Sequence, residues 1–372
     1  AEVIDLCGII SALSQLGSYC EETYSLAAKR AAATAPQMDA RQVSLVANAF
    51  VKVGHADAEL FRRLLQQVPR RLPKCDARDV AVLLNALAQM PGLLAKSLEA
   101  DSLEPQLQKI ALHLPALLPT ADFHSLTLVL NAFAKLNYMQ KDVLDLIVEE
   151  LLIDKRRFKN MTPRQLAMVL NAAVRLQIFE PRLIEALASQ VRLCARGLDT
   201  QSLCVIANAC AKLPSLGVET FQSLYVQVPR LLSRCSGRQL AMLCHAWARA
   251  HVHNDDLFAL LALPLVKHAG SLSAYEVALC VYGYAHFRKS PPELFGPLVQ
   301  RFVFFLDNGK VADAELLMLG NALGRVGWQD SSVASALRSY ASDAPGRSLP
   351  PATLATFGLL HSDGDLGMQN QV

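Results

Sequence analysis

The chain has 372 residues, 52% of them hydrophobic and 19% charged, with a formal net charge of +3. That is ample to bury a core, and no run of 18 or more apolar residues offers a membrane span. The sequence pI of about 8.4 falls short of the ~9 expected of a dedicated nucleic-acid domain, so any polyanion site must rest on where the charges sit.

One pattern recurs from end to end, and an anchor residue locates each copy. The first copy, around Ser11, opens on Ala1 already inside the repeat, which reads as a mature or partial chain and leaves room for a removed transit peptide. The second is Gln42-VSLVANAFVKV, anchored on Asn48, with Asp39 as N-cap, Gly54 in the turn, and a second helix over Ala58–Val68. The third, Asp79-VAVLLNALAQM, is anchored on Asn85 behind Asp76; an insertion at about Pro91–Glu104 follows and is expected to be a surface loop. The fourth, Ser125-LTLVLNAFAKL, carries Asn131 behind Asp122, with a second helix at Asp142–Leu152.

The fifth copy, Gln165-LAMVLNAAVRL, carries Asn171. It opens with Thr162 and Gln165 as a capping box and Pro163 at the first helical position, and Pro181–Val191 follows. The sixth, Ser202-LCVIANACAKL, carries Asn208 behind Asp199, then Pro214 and Thr220–Val228. In the seventh, Gln239-LAMLCHAWARA, His245 replaces Asn; in the eighth, Tyr282 does, and the helix Glu293–Leu306 follows Pro291–Pro292. Ser236 with Gln239 and Ser273 with Glu276 are further capping boxes. The ninth, Glu315-LLMLGNALGRV, carries Asn321, a weak tenth lies near Leu359, and Ser362–Val372 form a polar tail. Successive anchors are 37, 37, 46, 40, 37, 37, 37, 39 and 38 residues apart.

Apolar spacing within each copy is helical rather than alternating. Pro69, Pro115 and Pro229 each precede the next anchor by 16 residues and should kink or end the second helix. Helix pairs of this kind cannot bury their faces alone. The expected fold is all-α: an α-solenoid, or α-α superhelix, of about nine to ten two-helix repeats, forming a single array over 1–360 with the tail at 361–372.

At 100° per residue, offsets of −7, 0 and +4 from the anchor share one helix face within about 40°. At −7 stand Arg41, Arg78, His124, Arg164, Gln201 and Arg238; at +4 stand Lys52, Gln89, Lys135, Arg175, Lys212, Arg249, His286 and Arg325. Cations near a helix N-terminus oppose the macrodipole, at a cost of ~0.3–1 kcal/mol, yet form a ready phosphate site. No acidic residue occurs at +4. This sign bias favours a polyanion-binding stripe over an ordinary solvated face. The anchors Asn48, Asn85, Asn131, Asn171, Asn208 and Asn321 fit either of two roles: facing a ligand, or hydrogen-bonding neighbouring backbone to hold the stack.

Phe50, Phe133 and Trp247 sit two residues after the anchor, on the packed side, whereas Tyr275, Tyr282 and Tyr284 could be exposed together. The nine cysteines form no CxxC pair and read as reduced, mostly buried thiols. His251 and His253 flank a turn and read as solvated loop. No phosphate-loop, metalloprotease or nucleophile-elbow motif occurs. The chain is therefore read as a non-enzyme without catalytic residues, metal site, cofactor or small-molecule substrate.

The segments QLAMVLNAAVRL and SLTLVLNAFAKL, recurring at 37 residues, resemble the heptatricopeptide repeats of organellar RNA-binding proteins. They also resemble octotricopeptide repeats and the helical region of the FAST-kinase-domain family, here without a visible RAP domain. The resemblance implies import into the mitochondrial matrix, or alternatively a plastid, and binding of transcripts or rRNA. The leading expectation is a structural component of a mitochondrial ribosome, partnered by RNA and by other proteins of a ribonucleoprotein. The alternative is a protein–protein scaffold without direct RNA contact. Its candidate RNA-facing residues are Arg41, Arg78, Arg164 and Arg238; the anchors Asn48, Asn85, Asn131, Asn171 and Asn208; and Lys52, Lys135, Arg175, Lys212, Arg249 and Arg325.

Overall fold

The computed structural model describes residues 2–89, 103–153, 158–213, 216–328 and 330–342, with side chains between 3 and 336. The protein is all-α, and no strand occurs among the described residues. It divides into two compact units, Ala1–Gln190 and Val191–Val372, the division falling inside the helix Pro181–Cys194.

In the first unit the leading (A) helices are α1 (Glu2–Gln15), α3 (Ala40–Lys52), α5 (Ala77–Gln89), α7 (Phe123–Leu136) and α9 (Pro163–Arg175). The following (B) helices are α2 (Glu21–Thr34), α4 (Ala58–Arg71), α6 (Leu103–Leu117), α8 (Lys141–Ile153) and α10 (Pro181–Cys194). Each of α1, α3, α5 and α7 packs on the next A helix, and α2, α4 and α6 each pack on the next B helix. In the second unit the A helices are α11 (Thr200–Cys210), α14 (Gly237–Arg249), α16 (Ala274–His286) and α18 (Asp313–Val326), again stacked in order. Its B helices are a broken pair, α12 (Val218–Tyr225) and α13 (Val228–Leu231), then α15 (Asp255–His268), α17 (Pro292–Asp307) and α19 (Ser331–Ser342). Two layers stacked this way are the repeat packing of a solenoid.

Local chemistry sets the A-helix starts. The side chains of Asp39, Asp76, Asp122, Thr162, Asp199, Ser236 and Ser273 each accept from the backbone N–H three residues on. The three expected capping boxes form, and Asp39 with Gln42 makes a fourth. Six residues after the anchor the backbone turns left-handed, at Gly17, Gly54, Asn137, Gln177, His251, Arg288 and Gly327.

The prolines act less uniformly than expected. Pro69 and Pro115 lie inside helices that end two residues later, where a 3-10 turn takes over. Pro229 follows the break between α12 and α13. The insertion lies outside the described residues apart from Leu103 and Glu104, which open α6 as helix rather than loop. The tenth copy and the tail also lie outside them.

The core runs between the layers. Phe50, Phe133 and Trp247 are fully buried, as expected. Tyr284 is also buried, contrary to its expected exposure, because its hydroxyl finds the Phe258 carbonyl at 2.6 Å. Six of the nine cysteines are buried. Long B-helix side chains add links between repeats: Arg71 donates to the Pro36 carbonyl (2.7 Å), Arg230 to that of Leu198 (3.0 Å), and Arg301 to that of Leu272 (3.1 Å).

Candidate nucleic-acid interface

The A helices carry three columns on their outer face. Every residue at offset −7 in the second to seventh copies is exposed, including Arg41, Arg78, Arg164 and Arg238. The +4 cations Lys52, Lys135, Arg175, Lys212, Arg249 and Arg325 are exposed too, and His286 is half-buried. Between them the anchors Asn48, Asn85, Asn171 and Asn208 are half-buried; Asn131 is buried and Asn321 exposed. Helix stacking brings these columns together within each unit.

The anchor amides show no side-chain hydrogen bond among the described residues, so the backbone-locking role expected as one alternative is not what holds the stack. Stacking rests instead on the buried A-helix faces and on the arginine-to-carbonyl links.

A fourth column escaped sequence reasoning. Offset −3 falls at 60°, beside the +4 cations, and carries half-buried Leu45, Val82, Leu128, Met168, Val205, Met242 and Met318. The signal is present in the sequence as an apolar residue at a fixed offset. The exposed face is thus an apolar strip bordered by amides and cations.

No column cation forms a salt bridge among the described residues, although Arg41 acts through its charge on the N-terminal-turn carboxylate Asp79, and Arg78 on Asp122. Among the described residues the ion pairs lie on B helices and in A–B turns: Glu59 with Arg62 and Arg63, Glu149 with Arg182, and Asp255 with His253 and Lys289. None includes a column cation. The consequence is mutual repulsion. Burial, then Arg175 and Arg164, lower the pKa of Lys135; burial, then Arg249, lower that of Lys212. His245 is pushed down to about 4 by burial, then Arg249 and Lys212, which leaves a neutral imidazole at pH 7.

His286 lies below its usual value through burial, His251 and Arg325. Arg325 can only donate, so its contact with His286 Nδ1 (3.1 Å) makes that nitrogen the acceptor. His286 Nε2–H then donates to His251 Nδ1 at 3.0 Å. His251 is exposed in its turn, as expected, and is also tied to the column through His286; His253 pairs with Asp255 at 3.2 Å.

In the second unit the columns border a cavity of about 510 Å³. Asn208, Lys212, Arg238, Met242, His245 and Tyr275 are among its walls. Among the described residues no group of three or more His, Cys, Asp or Glu side chains could hold a metal, and no helix is long and apolar enough to cross a membrane.

Two overlapping stretches of the chain, 2–152 and 116–344, match the family model described as RNA-editing substrate-binding complex 6 protein. They share 116–152, one repeat period, as a repetitive chain would. No curated protein matches the chain. The match is to a family named for an RNA-editing substrate-binding complex, which agrees coarsely with the organellar RNA-binding class inferred from the repeats, and not to the heptatricopeptide or octotricopeptide proteins.

Proposed function

Because the chain belongs to the RNA-editing substrate-binding complex 6 family, we propose that it is a non-enzymatic RNA-binding subunit of an organellar RNA-editing assembly, placed in the mitochondrial matrix. The A-helix columns hold the RNA backbone, and other faces contact protein subunits. One observation carries this reading: cations repeat on one face with no salt-bridge partner among the described residues, and, after burial, neighbouring arginines oppose the charge of Lys135 and Lys212. A polyanion relieves that repulsion and releases counterions as it binds.

The ribosomal placement with rRNA as ligand gains nothing from these observations, and the family's description favours an editing substrate. The scaffold reading has one observation in its favour, the half-buried apolar column at −3, which would suit a partner helix.

Affinity purification of the native protein with and without nuclease separates the readings. We expect RNA to copurify and part of the protein partner set to be lost after nuclease. An RNA-free preparation with an unchanged partner set would replace the RNA reading with the scaffold.

A further inference from the structure

The cavity in the second unit lies where the repeat changes its chemistry. Elsewhere the anchor is mostly Asn, and −7 is mostly Arg; here the anchors are His245 and Tyr282, and −7 of the eighth copy is Tyr275, which is 50% exposed. The cavity's volume, about 510 Å³, falls within the roughly 300–1,000 Å³ of small-ligand pockets. Lys212, Arg238 and Arg249 supply positive charge at its walls against the single carboxylate of Glu276, which accepts from the Ser273 N–H at 2.9 Å, and Met242 supplies an apolar wall.

The His245 ring lies 5.7 Å from Tyr282, which is 5.8 Å from His286, so the imidazole is packed along its own column. A neutral imidazole offers one donor and one acceptor, and the Asn208 amide offers both kinds as well. Phosphate alone would need only cations. Paired donors and acceptors beside an aromatic face suit the edge and plane of a nucleobase.

We propose that this cavity takes one unstacked nucleotide of a single-stranded RNA, its base against Tyr275 and Met242, its edge toward His245 and Asn208, and its phosphates on Lys212, Arg238 and Arg249. The inference rests on the RNA reading above and adds base contact to a face otherwise suited to backbone.

The test uses the full chain and a random-sequence single-stranded RNA of about 20 nucleotides carrying 4-thiouridine in place of uridine. Cross-linked peptides are located by mass spectrometry, and affinities are measured for the wild type, Tyr275→Ala and Tyr275→Phe. Cross-links should fall within α14 or α16. Tyr275→Ala should bind about 5- to 100-fold more weakly with an unchanged salt dependence, and Tyr275→Phe should restore binding. RNA bound normally by Tyr275→Ala, with cross-links only outside the cavity, overturns the pocket and leaves the columns standing. A wild-type chain that binds no RNA overturns both.

Discussion

His245 stands where the five copies before it carry Asn, and the exchange has a measurable consequence. An unfolded histidine takes up a proton below about pH 6.5, whereas this folded one does so only below about 4, because burial and then Arg249 and Lys212 oppose the charge. Between those values the unfolded chain binds more protons, so stability falls as the pH drops through the window. Urea unfolding at pH 7 and pH 4.5 should show this loss, and His245→Asn should recover on the order of 1–2 kcal/mol of it. An equal loss in both proteins would assign the acid sensitivity elsewhere. At this scale the sequence was readable where a residue acts alone. Gly17, Gly54 and Gly327 mark the left-handed turn by composition, but Gln177, His251 and Arg288 adopt the same conformation in the same place, with no local signal. There the packing of the repeat overrides residue preference.

Helices were legible to the extent that their determinants are short-range. An N-cap and its partner three residues on are a local pair, and all seven expected caps hold. The links from Arg71, Arg230 and Arg301 to carbonyls about 30 residues earlier were not legible, since nothing nearby in sequence marks a distant acceptor. Close approach between helices is similarly hidden. A Cβ on Gly283 would lie 3.0 Å from the Cys244 backbone, so α16 packs on α14 through that missing methyl group. Gly283→Ala should lower the unfolding free energy by about 1–3 kcal/mol. Gly8→Ala, in α1 with nothing within 4 Å of its new methyl group, should instead raise it by roughly 0.5–1 kcal/mol. Equal stability of the two variants in urea titrations would contradict the tight α14–α16 contact.

Across the whole chain, the repeat was readable because the same short pattern recurs at nearly constant spacing. The column face was readable in its cations and amides but not in its apolar strip, because composition alone does not separate a half-buried methionine from a core one. The absence of acids at +4 was legible in the sequence, whereas the placement of the salt bridges on B helices and turns was not. A net charge of +3 therefore conceals a one-sided distribution. On the proposed function, this distribution binds RNA backbone. The most direct measurement is the slope of log affinity against log salt for single-stranded RNA, comparing the wild type with a chain carrying Arg41→Ala, Arg78→Ala, Arg164→Ala and Arg238→Ala. Weaker binding is expected, with a slope shallower by about 2–3 for the four lost contacts. An unchanged affinity and slope would contradict it.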